Sequence, residues 1–258
     1  KAALEWHGST LLARIVGIVG RAVDAPVVVV RAPGQDLPRL PPGVSVVEDL
    51  REGRGPLQGL AAGLAAVEGR AEIAYLSCTD VPLLHPAFVR AVLGAIAGAD
   101  VALPCVHGFR HPLAAGYRTA LRPLVDRLLA ADRLAPAFLF ELVNVCAMDA
   151  PALLADPVLA ALDPGLDSLL NLNQPGDYAA ARRRPAPQVT VERSGASGTG
   201  IEGSRSTAAI RASTLANATQ AVGVALDAHM VVTLNGQRVP PDPELPLATG
   251  DVVSLRSD

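Results

Sequence analysis

Aromatic side chains are scarce in this sequence, at 3% of 258 residues, although half of the residues are apolar and only 18% are charged. A core of ordinary size must therefore be built from Ala, Val and Leu. Cysteine is scarce as well: Cys78, Cys105 and Cys146 are odd in number and lack metal-ligand spacing. That argues against a disulfide framework and fits reduced, buried thiols in a cytoplasm. Long hydrophobic runs are missing, since stretches such as Pro26 to Val30 fall far below the ~20 residues that span a bilayer. Basic surface is missing too. The net charge is −3, and the one tight basic cluster, Arg182, Arg183 and Arg184, suits the negative end of a helix dipole. Nucleic acid and membrane are therefore poor partners. Nor is there a signal peptide, because the first apolar run carries Glu5, His7 and Arg14. The first residue is Lys1 rather than Met, so the visible chain is expected to begin inside a longer protein.

What is present is an alternation of two patterns. Leu12, Ile15, Val16 and Val19 recur at helical spacing, with Ser9 or Thr10 placed to cap. Val27 to Val30 and Val44 to Val47 are continuous β-branched runs, the pattern of strands buried on both faces. Gly59 to Val67 predicts a helix, Ile73 to Ser77 a strand, Phe88 to Ile96 a helix, Asp100 to Leu103 a strand and Ala120 to Ala131 a helix. This rhythm predicts an α/β fold with a doubly wound, mostly parallel sheet. After Tyr178 the composition shifts. Gln188 to Arg193 predicts a strand, and Ser194 to Thr207 a Gly/Ser/Thr-rich loop. A strand (208–212), a helix (215–226), a strand (230–234), an Asn235-Gly236 turn and a last strand (252–255) complete a compact β-rich module.

In open α/β sheets, ligands lie beyond the carboxyl ends of the strands, so the residues after each apolar run matter most. Asp80 follows the Ile73–Ser77 run. A rigidly held carboxylate there suits a hard cation such as Mg2+, and it equally suits a helix cap. Gly55-Pro-Leu-Gln-Gly59 opens a helix, where free N–H groups favour anions; a plain loop and helix start reads the same way. Asp49 stands at a strand end and fits a base, a sugar or a turn. Asn171 and Asn173, two apart, point the same way from an extended chain, which suits a polar ring. Asp177 is placed to cap the helix after them. The five histidines have no ligand spacing, and Trp6 reads as a packing residue.

Together these segments resemble the molybdenum cofactor guanylyltransferase family. Its members begin with a Gly-rich GGxSxRMGxDK signature and continue with D…GPLxG, CDxP and NxNxPxD. The matching residues are Lys1 as the closing lysine, Asp49 with Gly55 to Gly59, Cys78-Thr79-Asp80-Val81-Pro82 with Thr79 as an extra residue, and Asn171 to Asp177. His111-Pro112-Leu113…Tyr117 also fits. The resemblance covers residues 1 to about 185 and implies a Rossmann-like nucleotidyltransferase domain, 1–186, whose first strand and Gly-rich loop are missing. It implies that Lys1 binds nucleotide phosphates, that Asp80 holds Mg2+, and that Lys1 and Asp80 are the catalytic pair. It places Asp49, Gly55 and Gly59 at the nucleotide, with Arg31 nearby where the family often has Asn, which leaves the base contact there open. Asn171 and Asn173 would face the pterin. The implied reaction is attack by the terminal phosphate of molybdopterin on the α-phosphate of GTP, with release of pyrophosphate. Without a Gly-rich loop, residues 1–258 alone are expected to bind GTP poorly and to turn over little.

The tail, 187–258, resembles the closing half of a β-grasp sulfur carrier of molybdopterin synthase, through Val231 to Arg238 and Pro246 to Leu255. Such carriers end in Gly-Gly, whereas this sequence stops at Asp258, so as given it carries no sulfur. Other molybdenum cofactor biosynthesis proteins are then candidate partners. Two further readings stay open. One is a transferase that uses CTP or a different acceptor phosphate; His111-Pro112 leans toward cytidylyl transfer and Asn171-x-Asn173 toward guanylyl. The other is a non-catalytic binding protein whose tail recruits cofactor enzymes.

Overall fold

The structure is a computed structural model that describes residues 1–49, 51, 53–194, 205–227 and 229–256. A short hairpin, β1 (Glu5–Trp6) and β2 (Ser9–Thr10), leads into α1 (Leu11–Gly20). Thr10 caps this helix by accepting a hydrogen bond from the Ala13 N–H. The valine runs form β3 (Val28–Arg31) and β4 (Ser45–Glu48), paired in parallel, and α2 (Pro56–Val67) follows with Pro56 in its first turn. Then come β5 (Ile73–Ser77), α3 (Pro86–Gly94), β6 (Val101–Val106), β7 (Phe109–Arg110) and β8 (Ala114–Arg118). Helices α4 (Arg122–Ala130) and α5 (Pro136–Phe140) precede β9 (Val145–Met148), after which lie α6 (Ala150–Leu153), α7 (Pro157–Leu162) and α8 (Pro175–Arg182). Asp177 caps α8, accepting from the Asn173 and Gln174 N–H groups.

The fold is of the α/β class, and its main sheet is mixed. β8 lies between β5 and β6, antiparallel to both, while β9 joins the far edge of β6 in parallel. Sequence patterning does not single out β8, because Ala114-Ala-Gly-Tyr has weak strand propensity. Its small residues are selected by packing instead: a Cβ at Gly116 would already touch Ile96, Ala102 and Leu93. Fully buried Phe88, Val89 and Val92 of α3 anchor one core cluster, while Leu57, Leu64, Val101 and Tyr117 anchor another.

Strands β3 and β4 form their own ladder, separate from the one that begins at β5. Among the described residues, β3 pairs only with β4, and β5 only with β8. The free edges of β3 and β5 line one cavity of about 870 Å3. Leu12, Ile15, Val16 and Val19 of α1 line it too, as do Leu60, Gly63, Leu64 and Val67 of α2. The cavity is thus an apolar slot bounded by strand edges and helices.

The chain after Gln188 builds a second sheet: β10 (Gln188–Ser194), β11 (Arg205–Arg211), α9 (Leu215–Ala221), β12 (Val231–Leu234), β13 (Gln237–Val239) and β14 (Val252–Arg256). The strand order is β11-β10-β14-β12-β13, with β10 and β14 parallel. The core of this sheet is its own, formed by Val189, Val191, Leu215, Val232, Leu247 and Val253 among others. Helix α9 stops short of the expected 226 because Gly223, at φ 67°, ends it. Residues 195–204 of the expected loop lie outside the described residues.

This sheet docks on α1 and α3 through close, polar contacts. Arg21, which follows the last residue of α1, forms a two-armed ion pair with Asp251, at 2.9 and 3.0 Å. A Cβ added to Gly17 would stand 2.5 Å from Pro246 Cγ, and one added to Gly250 would stand 2.5 Å from Leu162 Cδ2. The pyrrolidine ring of Pro246 has no rotamer into which to retreat. Gly17→Ala is therefore expected to cost about 1–3 kcal/mol, read as a lowered midpoint in urea unfolding. A midpoint unchanged from that of the parent would show that the docking face yields at no cost.

His85 sits in the same seam. Its Nδ1 accepts the Ala87 N–H at the start of α3, and its Nε2 lies 3.0 Å from the Thr249 carbonyl, to which it donates. The contact at Nδ1 requires the neutral ring, because a protonated Nδ1 has no lone pair with which to accept. Burial holds this imidazole below its ordinary 6.5, as it does those of His7 and His111. The unfolded chain accordingly binds protons that the folded chain refuses, and stability is fully present only above 6.5. Stability is expected to fall as pH drops from 7 through the window below 6.5, with a shallower fall in His85→Gln. Equal slopes for the two proteins would remove His85 as a cause. Asp163, raised by burial from 3.8, opposes this trend in a window that lies above 3.8, its contribution being complete below that pH.

Candidate functional site

The carboxyl end of β5 is a junction. The Lys1 ammonium donates to Asp80 Oδ2 at 2.9 Å and to the Leu172 carbonyl at 2.8 Å. The Leu172 N–H in turn donates to the Asp80 carbonyl at 2.8 Å. Three segments far apart in sequence are thereby bound at one point. Leu172 is buried while its neighbours Asn171 and Asn173 are exposed, so the two asparagines share the outward face that their spacing predicts. The side chain of Asp80 is 18% exposed and that of Lys1 47%, which leaves the pair accessible to solvent.

Cys78 stands beside this junction, its thiol 3.7 Å from Asn171 Oδ1. Burial, reinforced by the neighbouring Asp80, pushes its thiol up to about 12. Burial thus favours the protonated thiol. Among the described residues no group of three or more His, Cys, Asp or Glu side chains could hold a metal ion. Asp80 is a single accessible carboxylate. That donor set fits a Mg2+ ion only when phosphate oxygens complete the shell, which is the usual manner of Mg2+ at nucleotide sites.

The other expected residues gather separately. Arg31, Asp49, Gly55 and Gly59 line the slot between β3 and β5, together with Cys78 and Thr79. Gly55 has φ 75°, a conformation that favours glycine, and immediately precedes α2. Asp49 receives the Arg51 N–H, so one of its oxygens acts as a turn acceptor. The guanidinium of Arg31 is engaged by Glu48 at 2.8 Å and by the Gln35 carbonyl at 3.0 Å. Lys1, Asp80, Asn171 and Asn173 thus form one group, and Arg31, Asp49, Gly55 and Gly59 a second. Cys78 and Thr79 connect them along the chain.

Sequence reasoning missed two participants. One is the Leu172 backbone, whose N–H and carbonyl grip both Asp80 and Lys1; no side-chain motif encodes this. The other is Arg14, which is 3% exposed and whose Nε donates to the Pro82 carbonyl at 2.5 Å. Its signal was a single charge within the apolar helix Leu11–Gly20.

The sequence profile of the MobA-like NTP transferase domain matches residues 1–145. The chain belongs to that family. Two proteins named probable molybdenum cofactor guanylyltransferase are similar to this MobA-like transferase chain. The one from Mycobacterium avium is 38% identical over 125 residues, 47% of this chain and 61% of that protein. The one from Mycobacterium tuberculosis is 41% identical over 136 residues, 51% of this chain and 66% of that protein. The MobA-like chain thus covers less than two thirds of the length of either relative. The crystal structure of molybdopterin-guanine dinucleotide biosynthesis protein A from Archaeoglobus fulgidus shares the fold. It has a TM-score of 0.56 at 20% identity, covering 70% of this chain and 88% of that one. No helix among the described residues is long and apolar enough to cross a membrane.

Proposed function

We propose that this chain carries the nucleotidyltransferase site of a cytoplasmic enzyme that moves GMP from GTP onto molybdopterin. The carrying observation is the junction at the end of β5, where an ammonium, a strand-end carboxylate and an Asn-x-Asn segment share three hydrogen bonds. Lys1 binds the nucleotide phosphates. Asp80, together with those phosphates, would hold Mg2+, which when bound supplies neutralisation of the charge gathering on them. Asn171 and Asn173, exposed on one face, orient the pterin, while Asp49, Gly55 and Gly59 lie toward the nucleoside. A terminal phosphate oxygen of molybdopterin forms a bond to the α-phosphorus of GTP, the α–β phosphoanhydride bond breaks, and pyrophosphate leaves with the bonding pair. The attacking phosphate is already anionic, so the site needs alignment and positive charge rather than a side-chain base.

The proposal divides the chain into a transferase domain, 1–186, and a β-grasp domain, 187–258. The strand order β11-β10-β14-β12-β13 and the separate core of the second sheet support that division. A further strand and a Gly-rich loop complete the first domain. The slot supports this, because apolar helices flank two unpaired strand edges there.

Pyrophosphate release from GTP and molybdopterin tests the proposal. A form extended upstream of Lys1 along its source reading frame is expected to turn over, and residues 1–258 to do so little or not at all. Preference for CTP would correct the base, and no turnover with any nucleoside triphosphate by the extended form would overturn the function.

A further inference from the structure

Among the described residues, Arg14 is a buried cation that forms no ion pair. Its Nε donates to the Pro82 carbonyl at 2.5 Å, and its terminal nitrogens donate to the carbonyls of Ser213 and Leu247 at 3.3 Å. The neighbouring carboxylate, Asp251, is taken by Arg21. Burying a charge against neutral carbonyls is costly, and an apolar side chain of similar volume generally fills such a space at lower cost. The position of the three carbonyls gives the charge a use. Pro82 lies two residues after Asp80, whereas Ser213 and Leu247 belong to the second sheet. The Asp80 segment is held at its carboxylate by Lys1, at its carbonyl by Leu172 and at its exit by Arg14. Val81, between these points, is 2% exposed.

We infer that Arg14 is a positioning residue that ties the Asp80 loop to the carbonyls of Ser213 and Leu247, so that the geometry of the transfer site depends on this tether rather than on the other contacts of the interface. The inference rests on the proposed role of Asp80, and it adds a role for the second sheet that requires no chemistry from it. Neither a phosphate nor a pterin need touch Arg14. Its effect passes along Asp80-Val81-Pro82.

The test compares Arg14→Met, Arg14→Lys and Arg21→Met, the last of which opens the same interface without touching Pro82. Amide hydrogen exchange at Leu172, the donor to the Asp80 carbonyl, reads the loop directly and needs no substrate. Exchange at that amide is expected to quicken at least about 10-fold in Arg14→Met, to return partway in Arg14→Lys and to stay near the parent rate in Arg21→Met. In the active extended form, Arg14→Met is expected to lower kcat about 10- to 100-fold with little change in KM for GTP. Equal quickening in Arg14→Met and Arg21→Met, or none in either, would overturn the inference. Absence of transfer in the parent protein would instead count against the proposed function, and the exchange result would still decide the role of Arg14.

Discussion

Asp80→Asn in the active extended form is expected to lower nucleotidyl transfer at least about 100-fold while leaving the protein folded. The substitution keeps the shape of the side chain and removes its charge. Lys1 then keeps a hydrogen-bond acceptor, and the Leu172 N–H keeps the Asp80 carbonyl, since that bond is to backbone. The Lys1–Asp80 pair is too exposed for its loss to matter much to stability, about 1 kcal/mol or less. What disappears is the carboxylate proposed to hold a divalent cation beside the nucleotide phosphates. The measurement is pyrophosphate release against Mg2+ concentration, with a thermal melt as the control for folding. Activity within tenfold of the parent at every Mg2+ concentration would show that Asp80 is a structural residue of the loop and no more.

Asp251→Ala is expected to be the most damaging single change to stability outside the apolar cores, at about 3–5 kcal/mol. Asp251 is 4% exposed and accepts four hydrogen bonds: two from Arg21, one from the Asn235 side chain and one from the Ala248 N–H. Truncation strands the Arg21 guanidinium and an amide in the seam between the two sheets, where water is poorly placed to replace the lost oxygens. Urea unfolding followed by far-ultraviolet dichroism reads the loss. Asp251→Asn, which keeps two acceptor lone pairs and loses the charge, is expected to fall between parent and alanine. A loss of 1 kcal/mol or less in Asp251→Ala would show that the seam is hydrated and that the pair is dispensable.

The fold was legible wherever one-dimensional pattern reflects burial. Val27 to Val30 and Ile73 to Ser77 read as strands because both faces of each are covered, and α1 read as a helix because its apolar residues recur at helical spacing. Strand β8 was not legible, since Ala114 to Gly116 are chosen for thinness under α3 rather than for strand propensity. The site was legible in its parts. Asp80 and Asn171 with Asn173 were each marked by position and spacing, and the structure brings them together with Lys1. What joins them is the Leu172 backbone, and a backbone carries no residue type to read. Arg31 shows a further case: its place after a strand end suggested a ligand contact, and the pairing of its guanidinium with Glu48, on the neighbouring strand, was not readable with it. Such pairing depends on register between two strands and is invisible along one of them.

The slot between β3 and β5 also bears on how this protein behaves in a crowded solution. An unpaired strand edge is ordinarily a template for association with other molecules, and natural proteins guard such edges with charge, bulges or cover. Here two edges are bare and apolar, yet α1 and α2 line the same recess, so the flat margin of another sheet is poorly shaped to approach. The recess thereby disfavours the edge-to-edge stacking that seeds aggregates.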